Sequence, residues 1–159
     1  MSYIFNIRSK IGNDKFICPG ARILLENVDG EFVTIIRKDT GRVGLPAGAM
    51  EENETIEGCI IREVKEETGL DINSLHVIGI CTNPVTQSVQ YPNGDVTQYF
   101  VIEFYSNDWS GELKTNDPSE VNRVLFSSIE NLDEALPSSE RGILDSYDHY
   151  MEEGQITLS

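Results

Sequence analysis

The chain has 159 residues, of which 39% are hydrophobic and 25% charged, a composition suited to one soluble domain with a proper core. Its formal net charge of −15 disfavours an electrostatic grip on nucleic-acid phosphates or on an anionic membrane surface. No apolar run reaches membrane-spanning length, and the first fifteen residues carry Arg8 and Lys10 with no continuous apolar core, so no secretory signal is expected there. Cys18, Cys59 and Cys81 are odd in number and lack CxxC spacing. They read as reduced, buried thiols in a cytoplasmic protein, with no zinc site or disulfide framework indicated.

In chain order, Tyr3 to Arg8 alternates weakly and predicts an edge strand. Phe16 to Leu25 and Phe32 to Arg37 are strand-like, with Asp29-Gly30 between them as a hairpin signal. Thr40-Gly41 marks a turn, and Val43 to Pro46 is a short extended piece. Asn53 tolerates a left-handed backbone, Thr55 is the expected N-cap of a helix from Ile56 to Thr68, and Gly69 is its stop. Leu75 to Cys81 reads as a strand, Pro92 to Asp95 as a turn, Val96 to Tyr105 and Val121 to Phe126 as strands. Leu132 to Leu136 predicts a helical turn. Ser138 or Ser139 then caps a helix to about Glu152, packing through Ile143, Leu144, Tyr147, Tyr150 and Met151. The mixture implies an α/β or α+β layered domain with helices on both faces of a mixed sheet, one domain over residues 1–159.

The chemistry concentrates between Gly48 and Leu70, where the spacing is G-x5-E-x7-R-E-V-x-E-E-x-G-L. At average residue usage such a match arises by chance with a probability on the order of 10⁻⁹ per start position. Glu63, Glu66 and Glu67 stand at i, i+3 and i+4, so a helix makes them neighbours that repel one another unless something positive sits among them. Carboxylates without His or Cys suit a hard cation such as Mg²⁺ or Mn²⁺. The bland alternative is a solvated acidic face. Against it, Ile56, Ile60, Glu63 and Glu67 share one stripe, so the face that begins apolar turns acidic on its inward edge. Arg62, one turn from Glu66 and near Glu54, has the fork geometry to clamp carboxylates, although an ordinary surface pair would look the same.

This stretch resembles the Nudix box at every defining position, and the order of elements resembles that family more loosely from about Phe16 to Tyr150. The resemblance implies an α/β/α sandwich with a mixed sheet. It also implies Mg²⁺-dependent hydrolysis of a nucleoside diphosphate linked to another moiety X, giving a nucleoside monophosphate and X-phosphate. Carried over by position, it makes Glu63, Glu66 and Glu67 the metal ligands, with Glu63 or Glu67 also activating water. The backbone carbonyl of Ala47 would join the metal, Arg62 and Glu54 would orient the carboxylates, and Gly48 and Gly69 would support the box. Two positions depart from the family pattern: Ala47-Gly48 replaces Gly-Gly, and Asn53 replaces a glycine. A carbonyl ligand needs no glycine, and Asn accepts the left-handed region, so activity is expected to survive both changes.

Outside the box, many members use an acid from a loop. Glu120 is the candidate here, with Asp117 behind it, although NDPSE also reads as a solvated loop. Tyr91, beside the turn at 92–95, is the candidate substrate-binding aromatic, while Tyr99 and Phe100 lie in a strand and are expected to pack in the core. His76 and His149 have no ligand spacing and receive no role. The partner implied is a small nucleotide, such as a nucleotide sugar, ADP-ribose or a CDP-alcohol, and homodimers are common in the family. The competing readings are a hydrolase of (d)NTPs or dinucleoside polyphosphates, and a nucleotide-sensing domain without turnover. Degenerate box carboxylates would favour the sensing domain, and here all are present.

Overall fold

A computed structural model describes residues 2–159, and its first element departs from the expected strand: Tyr3–Ile11 is a helix, α1. The oxygen of Ser2 accepts from the Phe5 N–H at its start, and Gly12 closes it at φ 63°. No residue of α1 is buried, so a weak alternation over six residues carried no information about a core face.

The remaining elements are β1 (Phe16–Leu25), β2 (Phe32–Arg37), β3 (Val43–Gly44), β4 (Ala47–Ala49), α2 (Ile56–Thr68), β5 (Asp71–Ile72), β6 (His76–Cys81), β7 (Ser88–Gln90), β8 (Val96–Ser106), β9 (Trp109–Ser110), β10 (Val121–Ser127), α3 (Ile129–Ala135), α4 (Ser138–Glu153) and β11 (Thr157–Leu158). The main sheet is mixed, in the order β11-β6-β8-β1-β4 with β7 on the edge of β8. β1 and β8 run parallel from Phe16↔Thr97 to Leu25↔Ser106, while β4 pairs antiparallel with β1 through Arg22↔Ala47, Ala21↔Gly48 and Gly20↔Ala49. A second, antiparallel sheet is β10-β2-β3, and β5 pairs β9. The turn around Gly30 forms as expected, but β1 and β2 share only the bridge Glu26↔Phe32 before diverging into different sheets.

Alternation along β1 feeds two cores. Ala21, Ile23 and Leu25 meet Cys59, Ile60 and Val64 of α2 together with Val33 of β2. Leu24 meets Ile78, Tyr105 and the Ile143 and Leu144 of α4. The helices thus cover opposite faces of the sheet, the α/β/α arrangement with a mixed sheet. Burying Ile60 and Val64 is worth about 1.5–3 kcal/mol each. Repulsion between neighbouring helix glutamates costs only about 0.2–0.5 kcal/mol per exposed pair, so α2 forms despite its acids.

Thr55 caps α2 by accepting the Gly58 N–H at 3.0 Å, and Gly69 ends it at φ 76°, as the spacing predicts. A side chain at Gly69 would also place its Cβ 2.4 Å from the Lys114 carbonyl. Asn53 takes the left-handed region at φ 64°. Three local expectations are corrected. Pro137, not Ser138 or Ser139, sits at the cap of α4, with no side-chain cap hydrogen bond; Met151, although on the same side as Leu144 and Tyr147, is exposed in the last turn of the helix; and Phe100 is 40% exposed rather than core. The three cysteines are free and buried. Among the described residues no helix is long and apolar enough to cross a membrane.

Candidate active site

β4 lies at the edge of the main sheet and runs directly beneath α2. Gly48 is the point of closest approach: a Cβ there would fall 1.9 Å from Glu63 Oε1, so only glycine leaves room for that carboxylate. One residue earlier, the Ala47 N–H donates to Glu67 Oε2 at 3.0 Å. The strand and the helix are therefore joined through the two carboxylates on the inward edge of α2.

Arg62 organises the loop between them. Its Nε donates to Glu54 Oε1 at 2.8 Å and its Nη2 to Glu54 Oε2 at 3.1 Å, a bidentate pair. Nη2 also reaches the Ala49 carbonyl at 3.1 Å, and Nη1 donates to Glu63 Oε1 at 2.7 Å and Glu66 Oε2 at 3.3 Å. The hydrogen bond from Arg62 is the main reason the Glu54 carboxyl is held below its ordinary range. Glu54 in turn accepts the Glu51 N–H, which fixes the turn before α2. The clamp expected from spacing is present.

Glu63 and Glu67 are not ordinary carboxylates. Glu67 is 2% exposed, and burial pushes its carboxyl up to about 8, against the pull of the Ala47 N–H and of Arg37. Burial likewise pushes Glu63 to about 7, only partly countered by Arg62. Glu66 is half exposed and points toward Arg62. Among the described residues no three His, Cys, Asp or Glu side chains converge as a formed metal cage. The donor chemistry nevertheless fits a hard cation: two oxygen donors sit in a dry setting where burial penalises their charge, and a divalent ion is what would restore it.

Glu120 comes to the same place from another direction. β2 pairs β10 through Arg37↔Val121, and the Lys38 N–H donates to the Glu120 carbonyl at 2.8 Å. From there the Glu120 charge acts on both Glu63 and Glu67. Asp117 is committed to its own turn, accepting from the backbone and hydroxyl of Ser119.

Two residues that sequence reasoning missed complete the surroundings. Arg37 ends β2, acts on Glu67, and pairs with Glu140 of α4 at 3.6 Å. Glu140 Oε2 also accepts the Leu45 N–H at 2.8 Å, which ties the start of α4 to the strand entering the box. No local pattern marks either residue; a cation on a strand and an acid in a first helical turn are common. Tyr91 lies apart from the carboxylates, its hydroxyl 2.6 Å from that of Tyr99. His76 and His149 are outside the site, His76 packing between Tyr105 and Tyr150.

The chain is 32% identical over 120 residues to an ADP-ribose pyrophosphatase of Methanocaldococcus jannaschii, covering 74% of this chain and 66% of that protein. It is 29% identical over 101 residues to the NAD-capped RNA hydrolase NudC of Vibrio atlanticus, covering 64% of this chain but 33% of that one. It therefore spans between a third and about two thirds of the length of these relatives. In structure it is similar to the MutT protein of Methanosarcina mazei Go1, with a TM-score of 0.67 at 20% identity, covering 89% of this chain and 98% of that one. The family model of the NUDIX domain matches residues 17–147, from β1 through the box and Glu120 to α4. Box, clamp, sheet and family model coincide, and the chain belongs to the NUDIX family.

Proposed function

We propose that this domain is a divalent-metal-dependent pyrophosphohydrolase acting on a nucleoside diphosphate linked to another moiety, releasing a nucleoside monophosphate and X-phosphate. The observation that carries the reading is the pair Glu63 and Glu67 at the junction of α2 and β4, the first half-buried and the second buried, where burial disfavours their charge more than Arg62, Arg37 and the Ala47 N–H offset it. Glu63, Glu66, Glu67 and the Ala47 carbonyl would hold Mg²⁺ or Mn²⁺. When bound, the ion supplies charge neutralisation at the phosphoryl oxygens and acidifies a water.

The protein's own groups do the rest. Arg62 holds Glu63 and Glu54 so that the loop from Gly48 to Glu54 keeps its shape while the substrate changes charge. Glu67, held by the Ala47 N–H, and Glu120, whose charge acts on both box acids, are the groups suited to accept a proton from the attacking water. The similarity to an ADP-ribose pyrophosphatase supports a nucleoside diphosphate-X substrate over a (d)NTP. Small-molecule turnover also agrees with the net charge of −15, which gives a polyanionic strand little to hold.

The test is a release assay over ADP-ribose, nucleotide sugars, CDP-alcohols, dinucleoside polyphosphates and (d)NTPs, with Mg²⁺ and with EDTA. One class should turn over, stop in EDTA, and fall about 10²–10⁴-fold in Glu67→Gln. Turnover that persists in chelator, or near-wild-type rates in the variant, would remove the assignment.

A further inference from the structure

Successive side chains of a strand alternate between faces, so Thr97, Tyr99, Val101 and Glu103 of β8 share one. Arg8 of α1 donates to Thr97 Oγ1 at 2.8 Å, and Ser146 of α4 donates to Glu103 at 2.7 Å. The two helices therefore stand on the same face of the sheet, their feet six residues, or about 20 Å, apart. Tyr99 lies between them, opposite Cys18 of β1, while Gly48 is opposite Ala21. Tyr99 is thus offset by three residues, about 10 Å, along β1 from Gly48, on the face of the sheet opposite α2. Arg37 acts electrostatically on both Tyr99 and Glu67.

On this face a hollow of about 450 Å³ opens between Ile4 of α1 and the loop carrying Tyr91, Pro92, Asn93 and Asp95, with Tyr99 in its wall. α1 is fastened over it at both ends. The Tyr3 N–H donates to Glu51 of the box loop at 2.7 Å, and Arg8 Nη2 donates to the Val96 carbonyl at 2.7 Å. The polar groups of the hollow are already used. Arg8 Nη1 is spent on the Gly12 and Asp14 carbonyls, and Asn93 bonds Asp95 through both its amide atoms. Among the described residues that line the hollow no cation is left for a phosphate, and the Asp95 carboxylate repels one. Ring faces and aliphatic carbon remain, with Tyr91 39% exposed.

Building on the hydrolase reading above, we propose that the hollow between α1 and the 91–95 loop is the subsite for the uncharged planar base of the nucleotide. The ring of Tyr91 is its stacking surface and Ile4 its outer wall. α1 thereby becomes part of substrate selection, and the link from Tyr3 to Glu51 couples the base subsite to the box loop.

The experiment is equilibrium titration of the full chain, with Mg²⁺, by AMP, GMP, CMP, UMP and the base-less ribose 5-phosphate. At least one nucleotide should bind about tenfold or more tighter than ribose 5-phosphate, the scale of one base stacked on an aromatic ring. Tyr91→Ala should collapse that ratio to below about threefold, while Tyr91→Phe, which keeps the ring and loses the bond to Tyr99, should retain it. Equal affinities in the wild type, no binding of either ligand, or a ratio unchanged in Tyr91→Ala would overturn the proposal. The wild-type ratio needs no variant to fold and no turnover. Failure of the base subsite is thus read separately from failure of the hydrolase assignment, which the Glu67→Gln release assay reports.

Discussion

Burial of the Glu67 carboxyl couples the stability of the metal-free protein to pH. The carboxyl has an ordinary value of 4.5 and is pushed to about 8 in the fold by burial. Between those values the folded state binds a proton that the unfolded chain has released, so metal-free stability falls as pH rises through this window. The loss is complete only above pH 8 and absent below about pH 4.5. At pH 7 the difference is about 3 kcal/mol, because every pH unit above the ordinary value costs about 1.36 kcal/mol while the group stays mostly protonated in the fold. Glutamine is nearly the shape of the protonated acid and its oxygen can accept the Ala47 N–H, so Glu67→Gln should remove the penalty. In EDTA, urea titrations should give equal stabilities near pH 4, and a variant more stable by about 3 kcal/mol at pH 7 and by more at pH 8.5. Mg²⁺ at 100 times its Kd should then add about 2.7 kcal/mol to the wild type and far less to the variant. A wild-type curve that is flat or rises over this pH range, or a variant no more stable at pH 8.5, would refute the idea that Glu67 is held ionised at a cost.

Three further substitutions probe the same architecture. Gly48→Ala drives a methyl into the position of Glu63 Oε1 and should lower kcat/KM about 10²-fold while the fold persists, since displacement of a reacting group by about 1 Å has that effect; unchanged kinetics would show that Glu63 is free to move. Arg62→Lys keeps the charge but cannot reach Glu54, Glu63 and the Ala49 carbonyl together, and should cost about 1–3 kcal/mol in thermal unfolding along with most of the activity. Arg22, 3% exposed, donates to Gln87 at 2.8 Å and to the Ser139 carbonyl, and pairs with buried Glu103 at 3.7 Å. Arg22→Met leaves that acid without its countercharge and should cost about 3–5 kcal/mol by urea unfolding. A loss under about 1 kcal/mol would mean that the network between β1, β8 and α4 does not hold the two together.

What the sequence settled by itself was local. The helix from Ile56 to Thr68, its Thr55 cap and its Gly69 stop are legible because capping and helical period act within one turn of the chain. The same holds for the neighbourhood of Glu54, Arg62, Glu63 and Glu66, whose contacts reach at most eight positions along the chain. The fold class was legible too, from the alternation of apolar strands with two amphipathic helices. Tertiary structure decided everything that rests on a long-range pairing. It converted Tyr3–Ile11 into a helix with no core face of its own, fastened by Glu51 and by the β8 backbone. It sent β1 and β2 into different sheets after a turn that suggested a hairpin. It brought Arg37, Glu120 and Glu140 around Glu67 through β2–β10 pairing and the seating of α4 on the sheet. Those residues are separated by up to about a hundred positions, and Arg37 and Glu140 are unremarked charges in their own segments, while Glu120 stood out only as a loop acid before a strand. Burial rather than composition raises the carboxyls of Glu63 and Glu67, and burial is defined only once the sheet, the box loop and α2 have closed on one another.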